Sequence, residues 1–97
     1  MSKLALSVTL KAKAGKEKEV SEFLKSALPL VLAEAETLNW YAFQTDEATF
    51  GIFDTFENED GRNAHLAGEI AKALMAKASE LLAEVPVIKK ADVLAFK

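Results

Sequence analysis

The chain has 97 residues, 51% of them apolar, with fifteen acidic against twelve basic side chains and a net charge of −3. That apolar fraction excludes a disordered segment, and the scattered basic residues exclude the clustered face of a nucleic-acid binder. The absence of cysteine excludes a disulfide framework, a thiolate nucleophile and a Cys-ligated metal.

A length near 100 residues suits one domain, residues 1–97. A chain this short leaves sheet surface that a partner subunit usually covers. Met1-Ser2-Lys3-Leu4 runs directly into strand-like alternation rather than into an apolar leader. The longest apolar run, residues 27–33, contains Pro29 and falls far short of the ~20 residues that span a bilayer. These features predict a cytoplasmic protein with no membrane partner.

Residues 4–13 alternate, with Leu4, Leu6, Val8 and Leu10 on one side and Ala5, Ser7, Thr9 and Lys11 on the other. Period two predicts a strand with one strongly buried face. Ala14-Gly15-Lys16 makes the turn. From Lys16 the period changes, and Val20, Leu24, Ala27, Leu28, Val31 and Ala35 recur at helical spacing. Pro29 withholds one hydrogen bond from this helix but projects away from the apolar stripe, which predicts a kink rather than a break.

Residues 39–45 and 49–56 are aromatic-rich runs joined by Asp46-Glu47-Ala48, the pattern of a β-hairpin. Asn58 then caps a second helix, with Glu59 and Asp60 in the first turn where the helix dipole favours acids. Its stripe is Ala67, Ile70, Ala71, Leu74, Ala78, Leu81 and Val85, and Pro86 ends it. Residues 87–96 read as the last strand.

The order βαββαβ predicts an α+β, ferredoxin-like fold, an antiparallel four-stranded sheet with both helices on one face. The strands are apolar on both faces, since Phe53 alternates with Ile52 and Ile88 with Val87. A sheet covered on one side only should show a polar second face. A homodimer packed sheet to sheet is the expectation.

The single histidine and single arginine, His65 and Arg62, stand three residues apart on one helical face. Histidine titrates near neutral pH and serves as a general base, while arginine stabilises oxyanions. The plainer alternative pairs Arg62 with Glu59 one turn back and leaves His65 as a surface or packing residue. In a continuous helix His65 would point about 160° from the stripe centred near Leu74. It faces the sheet only if the helix breaks at Gly68.

Asp54 lies mid-strand in phase with Phe50, Ile52 and Phe56. A carboxylate in such surroundings needs a partner. It either orients His65 or sits on a partly solvated edge. The aromatic residues of the hairpin, Trp40 among them, form either core or a clamp for a flat ligand. A lone histidine without cysteine makes no usual structural zinc site, and neither a phosphate-binding glycine loop nor a serine nucleophile motif is present.

The segments Trp40-Tyr41-Ala42-Phe43, Thr49-Phe50-Gly51-Ile52-Phe53-Asp54, Gly61-Arg62-Asn63-Ala64-His65-Leu66 and Asp92-Val93-Leu94-Ala95 together resemble the antibiotic biosynthesis monooxygenase family. The resemblance implies a dimeric α/β barrel with a pocket between sheet and helices. It implies oxidation of a small aromatic, phenolic or quinol ligand by O2, without flavin or metal. It further implies His65 as base with Asp54 beside it, Arg62 near the substrate anion, and Trp40 and Phe56 holding the ring. Phe56 stands where many members carry tryptophan, and the residues before the second strand read Thr37-Leu38-Asn39 where members often have glycine. An isomerase or a non-catalytic ligand-binding protein is the alternative on the same fold.

Overall fold

The computed structural model describes residues 3–97, so the reading of Met1 and Ser2 lies outside the described residues. The elements run β1 (Leu4–Lys11), α1 (Glu17–Ser26), α2 (Leu28–Leu32), β2 (Thr37–Gln44), β3 (Thr49–Phe56), α3 (Glu59–Leu66), α4 (Glu69–Leu81) and β4 (Val87–Asp92). The strands form one antiparallel sheet in the order β2-β3-β1-β4. This is the ferredoxin-like α+β arrangement expected from the alternation.

Val8 at the centre of β1 stands opposite Ile52 on β3 and Ile88 on β4. Together with Leu10 and Phe50 it faces Val20 and Leu24 of α1 and Leu74 and Leu81 of α4, which makes the main core. Burying side chains of this size is worth about 1.5–3 kcal/mol each, so this layer holds the helices to the sheet. The opposite face carries Tyr41, Phe43, Phe53 and Val87, all exposed. Gly51 lies beneath the Phe43 ring, where a Cβ would collide with it.

Pro29 divides the first helix rather than kinking it. The Ala27 N–H bonds back to Phe23 and Leu24, and the Ala27 carbonyl then accepts from Leu30 and Val31. Pro29 thus falls in the first turn of α2, where a missing N–H leaves no bond unmade. The second helix breaks at Gly68, which caps α4 with extended backbone (φ −84°, ψ −179°).

Among the ends that differ from the sequence pattern are those of α4, β1 and β4. The helix stops at Leu81 because Lys13 and Ala83 exchange backbone bonds with Leu81 and Lys11, tying this stretch to the end of β1. That capture precedes Pro86, so Val85 is exposed. For the same reason β1 ends at Lys11, and Ala12 forms an isolated bridge with Leu82. β4 ends at Asp92, opposite Leu4. Beyond the bond from Val93 to the Lys3 carbonyl it has no further described strand to pair with, and Leu94 is 96% exposed.

Candidate functional site

α3 sets the site. Asn58 caps it by accepting from the Gly61 N–H at 3.0 Å, which starts the helix directly after β3. Because the helix breaks at Gly68, α3 is free to turn its Arg62 and His65 face toward the sheet, and both are buried.

His65 is 8% exposed and sits between two carboxylates. Its Nδ1 is 2.6 Å from Glu34 Oε1, and its Nε2 is 2.8 Å from Asp54 Oδ2. The second contact is an ion pair whose ring N–H is not aimed squarely at the oxygen, because neither Asp54 oxygen has an aligned donor. Asp54, 1% exposed, is sealed between sheet and helices. The Thr37 hydroxyl donates to Glu34 Oε1 at 2.9 Å and lies 3.4 Å from His65 Nδ1. A bulge between Thr37 and Asn39 turns Thr37 toward the helices, while Asn39 meets Thr55.

Burial alone would push the His65 ring toward its neutral form. The neighbouring Asp54 and Glu34 carboxylates outweigh it, and the pKa is raised above the ordinary histidine value. The Phe56 ring backs the imidazole, with centroids 5.3 Å apart. The two ring nitrogens point to opposite carboxylates, so the donors do not converge. Among the described residues no group of three or more acidic, histidine or cysteine side chains is arranged to hold a metal ion.

One cavity borders this cluster, and a second lies on the other side of α2. The first, of about 460 Å³, is lined by Leu30, Glu34, Thr37, Ala64, His65 and Gly68, among others. The other, of about 510 Å³, is lined by Leu24, Leu28, Trp40, Tyr41, Phe43 and Phe50, among others. α2 borders both, through Leu28 on one side and Leu30 on the other. Trp40 stands opposite Asp54 on the helix face, and its indole Nε1 is buried without a partner.

The structure therefore brings His65, Asp54 and Phe56 together and sets Trp40 across the ladder from Asp54. Phe56 is fully buried and lines neither cavity. Arg62 belongs to another network. Its Nη2 is 2.8 Å from Glu59 Oε2, and its Nη1 donates to the Ala5 and Ala91 carbonyls at 3.3 Å. Those carbonyls belong to facing residues of β1 and β4. Its guanidinium is thus bound to Glu59 and to two strand carbonyls, and Arg62 lines neither cavity.

Glu34 and Thr37 escaped the sequence reading, being 31 and 28 residues from the histidine they contact. One signal was present. An acid at the C-terminal end of a helix opposes the macrodipole and so calls for another partner.

No protein-family model and no curated protein matches the chain. Among solved structures, an antibiotic biosynthesis monooxygenase superposes with a TM-score of 0.81 over 95% of this chain and 99% of its own, at 14% identity. PA3566 from Pseudomonas aeruginosa does so with a TM-score of 0.84 at 21% identity, over 98% and 97% of the two chains. These likenesses show the fold, the ferredoxin-like arrangement that an antibiotic biosynthesis monooxygenase structure shares. NE2512 of Nitrosomonas europaea, a protein of unknown function, is 52% identical over all of this chain and 94% of its own, with a TM-score of 0.98. The chain belongs to the same protein family as NE2512. No helix among the described residues is long and apolar enough to cross a membrane.

Proposed function

We propose that the chain is a cofactor-independent monooxygenase that oxidises a small phenolic or quinol substrate with O2. The observation that carries this reading is the buried His65, held between Asp54 and Glu34 in the wall of a cavity of about 460 Å³. Such a cluster can take a proton from a substrate hydroxyl. The electron-rich phenolate then reduces O2 itself. For a phenol with a free para position the products are the para-quinone and water. Of the two oxygen atoms one enters the ring and the other leaves as water, and the ring supplies all four electrons.

In this reading the cluster centred on His65 is the base. Asp54 fixes its orientation, and Phe56 supports the imidazole from behind. Trp40 supplies an aromatic wall beside Asp54. Arg62 is a positioning residue that ties α3 to β1 and β4, so that His65 faces the cavity.

The protein functions as a cytoplasmic homodimer. Tyr41, Phe43, Phe53 and Val87 on the helix-free face support this, since an exposed apolar patch of that kind marks an interface. Two chains packed through that face would form an α/β barrel.

Oxygen uptake over a panel of phenols, quinols, anthrones and catechols tests the proposal, with His65→Ala alongside. Uptake lost in a variant that still folds supports it, and no uptake from any compound refutes the oxygenase. A second reading rests on the paired carboxylates, which could remove a proton and return it at another atom. An isomerase of that kind would form product without consuming O2.

A further inference from the structure

We propose that Glu34 is a further catalytic residue, and that its Oε2 is the atom that accepts the hydroxyl proton of a neutral phenol in the cavity beside Gly68. The inference rests on the reading of that cavity as a phenol site and names the group within it that touches substrate.

Both nitrogens of His65 already meet carboxylates, at 2.6 and 2.8 Å. A ring held this way has no free lone pair to offer a ligand. Asp54 is sealed from the cavity. Glu34 alone of the three carries a carboxylate into the cavity wall, with its side chain 21% exposed.

Its two oxygens have different duties. Oε1 accepts from Thr37 and meets His65 Nδ1. Oε2 is left for a ligand and lies against Gly68, where a Cβ would come within 3.1 Å of it. Gly68 has ordinary negative φ, so the space and not the backbone is what glycine provides there.

The proton balance closes within the site. The phenol O–H bond breaks and an Oε2–H bond forms, while the negative charge moves from Glu34 to the phenolate oxygen. The His65 ring remains beside Glu34 throughout, and the net charge of site and substrate together is unchanged. His65 and Asp54 are then positioning residues that act through Glu34.

The rim also states what the site refuses. Glu36 and Glu69 line the same cavity, and no lysine or arginine does. A carboxylate or phosphate ligand would meet like charge, whereas a neutral hydroxyl donor meets an acceptor. The charged groups around Glu34 are therefore His65 of α3, Asp54 behind it on β3, Glu36 on the loop, and Glu69 of α4.

The test is equilibrium binding of 4-nitrophenol across pH, its neutral and ionised forms told apart by visible absorbance. 4-Nitrobenzoate is the anionic control. The wild-type protein is expected to bind neutral 4-nitrophenol and to reject 4-nitrobenzoate. Glu34→Gln should weaken that binding about tenfold, the effect of losing one charge-assisted hydrogen bond, and Glu34→Asp should restore part of it. Gly68→Ala should weaken it without changing any charge, and the His65 ring titration followed by NMR should move down in Glu34→Gln. Unchanged binding in Glu34→Gln overturns the role of Glu34, even where oxygen uptake upholds the oxygenase. Lost binding without oxygen uptake by the wild type upholds Glu34 and sinks the oxygenase alone. No binding by the wild type sinks the phenol site and the role of Glu34 together.

Discussion

Trp40 and Asp54 face each other across the β2–β3 ladder on the helix side of the sheet, and each carries buried polar atoms with no aligned partner. A buried polar group left in this state usually costs about 1–3 kcal/mol. Trp40→Phe removes the unpaired indole N–H and keeps most of the ring. Its stability by urea denaturation should stay within about 1 kcal/mol of wild type, whereas Trp40→Ala should lose about 3–5 kcal/mol. A loss in Trp40→Phe as large as in Trp40→Ala would mean the N–H does have a partner in solution, such as a bound water.

The raised pKa of His65 makes stability depend on pH in one direction. The folded protein holds the His65 proton more tightly than the unfolded chain does, so the contribution is complete below the unfolded value of about 6.5. It disappears as pH rises through the folded value. Urea midpoints between pH 6 and 9 should therefore fall more steeply for wild type than for His65→Gln. Parallel curves would mean that Asp54 and Glu34 do not hold the proton.

Arg62 joins α3 to facing carbonyls of β1 and β4. Arg62→Ala is expected to cost about 2–4 kcal/mol, because it strands buried acceptors as well as losing packing. Arg62→Lys should recover little, since one ammonium cannot reproduce the fork that reaches Glu59 and both strands. Full recovery by lysine in a thermal melt would show that charge alone matters there.

The helix-free face gives a direct test of assembly. Light scattering on wild type should return about twice the 10.5 kDa mass of one chain. Phe53→Glu, placed in the middle of the exposed aromatic patch beside Tyr41, should return a single chain. A wild-type particle of one chain mass at micromolar concentration would remove the dimer from the proposal.

Much of the fold was readable from local pattern. Residues 49–56 were bounded as a strand by their alternation and by the Asp46 turn, whose side chain accepts from the Ala48 and Thr49 N–H groups. Trp40 and Tyr41 went to opposite faces because a strand has period two. Asn58 marked its helix start for a local reason as well, since a cap is made within one turn. The pairing of His65 with Asp54 was one of two readings the sequence left open for a carboxylate in phase with Phe50 and Phe56.

Element order and strand faces were thus set by interactions between neighbours in the chain, which the sequence determines by itself, whereas the break at Gly68 was left open until the structure showed it. The ends of β1 and α4 were decided by tertiary structure, because backbone bonds between segments some 70 residues apart captured residues 11–13 and 81–83. The same holds for Glu34. Its place against His65 depends on where α2 ends after Pro29 and on the bulge that turns Thr37 inward. Periodicity carries no information about two groups that distant in the chain. Only the packing of α3 against the sheet brings the second carboxylate to within 2.6 Å of the ring.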